Sequence, residues 1–162
     1  TDVEDCCIDL AELSADFRAR PTDEKKKVDS YDVKELPTRL ARQNIRLATC
    51  LAVVLNKRLV DGEVLHIVRK VAMDTAYGHT LKIAQWLCSP HPKMPDVTYQ
   101  EAGGIMEGLL MQWTCMPKDR LTKYLNFLKK MDVLQWRRVP QSNGAWMLTE
   151  RVYDLYLRVM KG

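Results

Sequence analysis

Apolar positions recur at helical spacing along most of this chain and at strand spacing near its end. Over residues 2–20, Val3, Cys6, Cys7, Leu10, Leu13 and Phe17 fall three and four apart, the signature of one amphipathic helix. Arg20-Pro21-Thr22-Asp23-Glu24-Lys25-Lys26-Lys27 then reads as a polar linker. The first helix is therefore expected to be an arm that packs on whatever precedes or follows it. Pro37 opens a second helix with a broad apolar face of Leu40, Ile45, Leu47, Ala48, Leu51, Ala52, Val54 and Leu55. Its other side carries Arg39, Arg42, Gln43 and Arg46, and Asn56-Lys57-Arg58 breaks the pattern. Asp61 can cap a third helix ahead of Val64, Leu65, Ile67, Val68, Val71 and Ala72. Two helices joined so tightly make a helical hairpin, a lid or packing platform rather than a unit with its own chemistry.

From Thr80 the order changes. Leu81, Ile83, Ala84, Trp86 and Leu87 close a helix that stops at Ser89-Pro90-His91-Pro92, where two prolines force an extended loop. Thr98-Tyr99-Gln100-Glu101 has the Thr-x-x-Glu form of a capping box, which predicts a helix running through Ala102, Ile105, Met106, Leu109 and Leu110 toward Trp113. Gly103-Gly104 weakens it by about 1 kcal/mol per residue. Pro117 suits the first position of a further helix, in which Leu121, Tyr124, Leu125, Leu128 and Met131 repeat at three and four. Two short runs, 134–139 and 145–148, flank Asn143-Gly144 and predict a β-hairpin. Thr149 with Val152, Tyr153, Leu155, Tyr156 and Val159 ends the chain in a capped helix. The fold class expected is mostly α: a lid-like helical hairpin, then a winged helix-turn-helix with a two-stranded β-hairpin. The expected units are an arm and linker over 1–35, the hairpin over 36–74, and the winged helix over 75–162. In that order the third helix of the winged unit can be presented convexly to a major groove with the hairpin beside it.

Charge sharpens this picture. The chain carries a formal +4, yet residues 1–36 hold 11 acidic and 6 basic side chains, net −5, leaving 10 acidic and 19 basic, net +9, over 37–162. Such a split fits a body that faces a polyanion behind an acidic lead-in, although a basic surface also serves solubility. The helix after Pro117 sets Lys118, Asp119, Thr122, Lys123, Asn126, Lys129 and Lys130 opposite its apolar stripe. Arg120 lies beside that stripe, where its stem can cover it. The hairpin adds Arg137, Arg138, Gln141 and Asn143. These cationic and amide side chains are the types that meet phosphates and base edges. Lys118, Lys123, Arg137 and Arg138 are the expected anchors, with Asn126 and Thr122 placed to read an edge. Trp113, Trp136 and Trp146 could stack on bases but sit near apolar stripes, where tryptophan more often belongs to the core.

Other chemistry finds little to stand on. There is no phosphate-binding glycine loop, no HExxH, and no Ser/His/Asp or Cys/His grouping in a recognisable context. The chain is not expected to be an enzyme as it stands, and no cofactor is expected in it. Cys88 and His91 form a CxxH pair without a second pair to complete a tetrahedral site, so no metal is expected. His79, at a helix start, reads as a structural polar group rather than a general base. Five cysteines without regular spacing or a secretory signal point to thiols in a reducing, intracellular setting, cytoplasm or nucleoid, or a host cell if the protein is viral or plasmid-borne. No run of about 18 apolar residues is present, so no membrane span is expected. The opening Thr1-Asp2-Val3-Glu4 reads as the start of a piece of something longer.

Arg39-Leu40-Ala41-Arg42-Gln43-Asn44-Ile45-Arg46-Leu47-Ala48, with Val60-Asp61-Gly62-Glu63-Val64 after it, resembles the lid of hexameric AAA+ replicative helicases of the minichromosome-maintenance type. It is also similar to the matching segment of phage and plasmid primase-helicases. The resemblance covers residues 36–74 as lid and 75–161 as the winged helix that follows it. It implies a nucleic-acid-binding C-terminal module of a DNA replication protein, positioning DNA or recognising an origin. It further implies ATP binding by a portion outside this chain, and Arg39 in the place of a nucleotide-sensing arginine. An acidic residue usually follows that arginine three positions on, where this chain has Arg42. DNA, duplex or single-stranded, is the expected partner, along with an oligomer or replication proteins. Two alternatives stay open. A winged-helix transcriptional regulator would use residues 2–20 as a dimer helix. A protein-docking module without DNA binding would expose an apolar patch around Tyr153, Tyr156 and Met160.

Overall fold

The computed structural model describes residues 3–19, 36–138 and 144–161. The linker expected from Arg20 onward lies outside the described residues. Within them the chain is mostly helical, with two small antiparallel sheets.

Helix α1 spans Val3–Arg18 and buries Leu10, Ala11, Leu13, Ala15 and Phe17. This helix packs on elements that follow it in the chain. Its sides pack on α2 (Pro37–Val54), α3 (Gly62–Thr75), α4 (His79–Leu87) and α7 (Glu150–Lys161). Leu10, Leu13 and Phe17 join Val64 and Val68 of α3, Leu87 of α4 and Val152 of α7 in one continuous core. The same burial takes up the stripe that a dimer helix would need to offer a second copy. Two ion pairs fix the antiparallel register of α1 against α7. Arg151 Nη1 donates to Asp16 Oδ2 at 3.1 Å, and Arg158 grips both Asp9 oxygens at 2.8 and 3.2 Å. The Asp16 carboxylate is fully buried, whereas Arg158 is exposed and its pair adds little beyond register. Burial against α1 also pushes the Tyr156 phenol up to about 12, with its ring edge-on to Phe17. Tyr153 donates to Glu101 at 3.1 Å. Of the apolar patch expected at Tyr153, Tyr156 and Met160, only Met160 is exposed, because the two tyrosines pack inward.

The hairpin α2–α3 forms as its caps dictate. Pro37 opens α2, and Asp61 accepts a hydrogen bond from the Val64 amide at 3.1 Å at the start of α3. Lys57 pairs with Asp61 and Glu63 across the connection, and Asn56 takes a positive φ of 53° to make the turn.

Beyond α4, the proline-rich loop is a small hairpin instead, β1 (Pro90–His91) against β2 (Met94–Thr98). Edge strands tolerate the missing proline donors. The helix expected from Thr98 begins only at Glu107, as α5 (Glu107–Thr114). The capping box itself forms: Glu101 N–H donates to Thr98 Oγ1 at 3.2 Å, and Thr98 N–H to Glu101 Oε2 at 2.8 Å. It closes a turn, because Gly103 and Gly104 follow at φ of 104° and 99°, outside the helical region. That turn sends Ile105 into a two-way backbone bridge with Trp146, both bonds at 2.9 Å.

Helix α6 (Lys118–Lys130) follows a left-handed turn at Cys115. It buries Leu121, Tyr124, Leu125, Phe127 and Leu128. Strands β3 (Leu134–Arg137) and β4 (Ala145–Leu148) pair antiparallel, with Leu134 opposite Leu148 and Trp136 opposite Trp146. The order helix, small hairpin, bridge, helix, helix, hairpin, helix thus runs from α4 to α7. The Thr149 hydroxyl just ahead of α7 donates to the Asp132 carbonyl at 2.9 Å, tying the end of α6 to the start of α7.

Candidate nucleic-acid interface

Helix α6 divides cleanly by exposure. With its apolar stripe turned into the core, it leaves Lys118, Asp119, Arg120, Lys123, Asn126, Lys129 and Lys130 exposed. Five of these seven are cationic along a helix of 13 residues, so one solvent face carries a concentrated positive field. Arg120, expected to lie down on the stripe, is exposed. Thr122 is different. It is half-buried, and its hydroxyl donates to Glu107 Oε1 of α5 at 2.7 Å. A hydroxyl committed to a neighbouring carboxylate is not presented to a base edge, so Thr122 leaves the reading set and Asn126 stays in it.

The hairpin that follows in the chain adds charge of the same sign. Arg137 and Arg138 are both exposed at the end of β3. Gln141 and Asn143, expected at the hairpin tip, lie outside the described residues. Gly144 sits at φ 82° beneath the Trp136 indole, so close that an added Cβ would lie 2.3 Å from the ring. Trp136 is 44% exposed and Trp146 6%. One tryptophan of the cross-strand pair therefore serves the core and the other is open to solvent. Trp113 is half-buried, stacked on Trp86 at 4.5 Å and edge-on to Tyr99 at 5.3 Å.

The hairpin owes its position to groups that no local pattern reveals. Gln100 is buried, and its side-chain amide makes both bonds of a strand partner. Nε2 donates to the Leu148 carbonyl at 3.0 Å, and Oε1 accepts from the Leu148 amide at 2.8 Å. With the Ile105–Trp146 bridge, this covers the free edge of β4.

Compared with protein families, curated proteins and solved structures, the chain matches none.

Arg39 stands exposed near the start of α2, on the same helix face as Arg42 and Arg46. Among the described residues, no group of three or more His, Cys, Asp or Glu side chains is placed to hold a metal ion. His91 lies edge-on to Tyr99 at 4.8 Å, and His79 to Tyr124 at 5.7 Å. No two of the five cysteines are joined in a disulfide, and burial pushes the Cys7 thiol up, which keeps it inert. No helix among the described residues is long and apolar enough to cross a membrane.

Proposed function

We propose that residues 79–161 act as a winged helix that binds nucleic acid, with α6 as the groove-facing helix and the β3–β4 hairpin as its wing. One observation carries this: the outward face of α6 and the hairpin that follows it in the chain are both predominantly cationic. Lys118, Lys123, Lys129, Lys130, Arg137 and Arg138 are all exposed. Support comes also from the element order and from the isolated bridge at Ile105, a single residue paired with β4 ahead of the two helices. Lysines and arginines on the rim would contact phosphates and hold the register, while Asn126, near the middle of the exposed face, would meet a base edge. Replication is the setting we favour, with the chain as the C-terminal module of a helicase or primase-helicase. That choice rests on the resemblance of residues 39–48 and 60–64 alone, as does a nucleotide-sensing role for Arg39.

A second reading, protein docking, draws on the exposed side chains of Trp86, Met94, Met106 and Met111. Apolar groups of this kind on a surface mark contact sites for other proteins when they are contiguous.

Titrating labelled duplex and single-stranded oligonucleotides at several salt concentrations separates the two. For wild type, the slope of log affinity against log salt on duplex is expected to be at least about four, roughly 0.9 per phosphate contact. In Lys118→Ala/Lys123→Ala/Arg137→Ala/Arg138→Ala the affinity is expected to fall at least tenfold and the slope to drop by about 3.6, four contacts at roughly 0.9 each. Equal binding by wild type and variant, or none by wild type at low salt, would rule out the nucleic-acid reading and favour docking.

A further inference from the structure

A second cationic surface lies outside the proposed winged helix. Arg39, Arg42 and Arg46 stand at i, i+3 and i+7 on α2, so their side chains share one face, and all three are exposed. None forms an ion pair among the described residues. Of the five carboxylates of α1, the helix that α2 packs on, Asp9 is engaged with Arg158 and Asp16 with Arg151.

This arrangement works against the stability of α2. Neighbouring like charges at these spacings repel. Arg39 sits in the first turn, where the helix dipole disfavours cations, and no acidic residue stands there to offset it. A fold under no other demand would carry acids at such positions. An outward arginine row that pairs with no carboxylate among the described residues is what a surface for an external polyanion requires.

We infer that Arg39, Arg42 and Arg46 form a phosphate-backbone contact surface of their own, separate from α6 and the hairpin. Seven residues of helix span about 10 Å at 1.5 Å each. That length matches roughly three phosphates of one strand at 3.4 Å of axial rise. Guanidinium groups pair with phosphate oxygens in bidentate fashion. Thr38 and Gln43 are the exposed neighbours within the arginine row, and the exposed apolar side chains of this helix, Leu36 at its start and Val53 and Val54 at its end, lie outside it. The row itself suits a nucleic-acid strand better than the apolar side of a lipid surface.

The inference does not depend on the reading of α6, and the test treats them separately. Arg39→Gln/Arg42→Gln/Arg46→Gln is compared with wild type and with the α6–hairpin variant on a labelled DNA duplex, with circular dichroism and melting to verify the fold. The arginine variant is expected to lose about tenfold in affinity at low salt and to lower the salt slope by about 2.7, three contacts at roughly 0.9 each. Replacement by three lysines is expected to restore most of the slope. If only the arginine variant weakens binding, the α2 surface stands and the α6 reading falls. If the glutamine variant binds duplex with unchanged affinity and slope, the inference is overturned. It is equally overturned if that variant keeps duplex binding but loses binding to phosphatidylserine vesicles, which would assign the arginines to a lipid surface.

Discussion

Replacing Gly104 with alanine is expected to lower stability by roughly 2–6 kcal/mol, a large part of the total for a small domain. Two independent costs combine at this position. Its φ of 99° lies where side-chain residues are strained, at about 1–3 kcal/mol. A Cβ there would also lie 2.5 Å from the Trp146 carbonyl oxygen and 2.6 Å from Met147 Cγ. The oxygen belongs to backbone held in the bridge to Ile105 and cannot step aside cheaply, and forced overpacking adds about another 1–3 kcal/mol. Gly103 is the internal control. It shares the positive φ of 104°, yet a Cβ there meets nothing within 4 Å, so Gly103→Ala should carry only the first cost. Urea unfolding of the two variants measures the difference. Equal midpoints would mean that the close approach of residue 104 to β4 is not part of the folded protein.

Phe17→Ala is expected to cost about 3–5 kcal/mol, the range for a large aromatic removed from a packed interior. Phe17 is 2% exposed, and its ring meets Tyr156 of α7 at 6.4 Å. The outcome also decides what α1 is. As a shared core element, α1 should unfold together with the remainder, and the whole transition should move to lower denaturant in one cooperative step. A detachable arm would show a small early loss of helix and an unchanged main transition. Ile8→Ala, at a position 44% exposed on the same helix, is expected to stay close to wild type.

These two positions mark where the sequence is and is not legible. Helices α1, α3 and α6 follow from apolar spacing and from Asp61 and Pro117, because the forces that start and orient a helix act within a turn or two. The β3–β4 hairpin follows from two short runs around Asn143-Gly144 for the same reason. What covers an apolar stripe is not local, so the spacing of Leu10, Leu13 and Phe17 announces a helix without announcing the centre of the core. The Thr98–Glu101 box shows the opposite limit. Its hydrogen bonds form as expected, but two glycines at positive φ turn the chain toward β4, and the partner that rewards the turn lies some forty residues on. Gln100 and Thr122 were silent in the same way. Their partners, Leu148 and Glu107, are 48 and 15 residues away. For the candidate interface, the cationic face of α6 could be read from composition and period, since an apolar stripe turned inward forces its opposite side outward. The loss of Thr122 from that face could not.

The central claim is that α6 and the β3–β4 hairpin are the surface that meets nucleic acid, and mapping amide chemical shifts during a duplex titration at low salt tests it most directly. The account predicts shifts concentrated over 118–130 and 134–148, reversed by added salt, with any further set confined to the arginine face of α2. Shifts that are absent at low salt, or that gather around Trp86 and Trp113 while α6 stays silent, would contradict it.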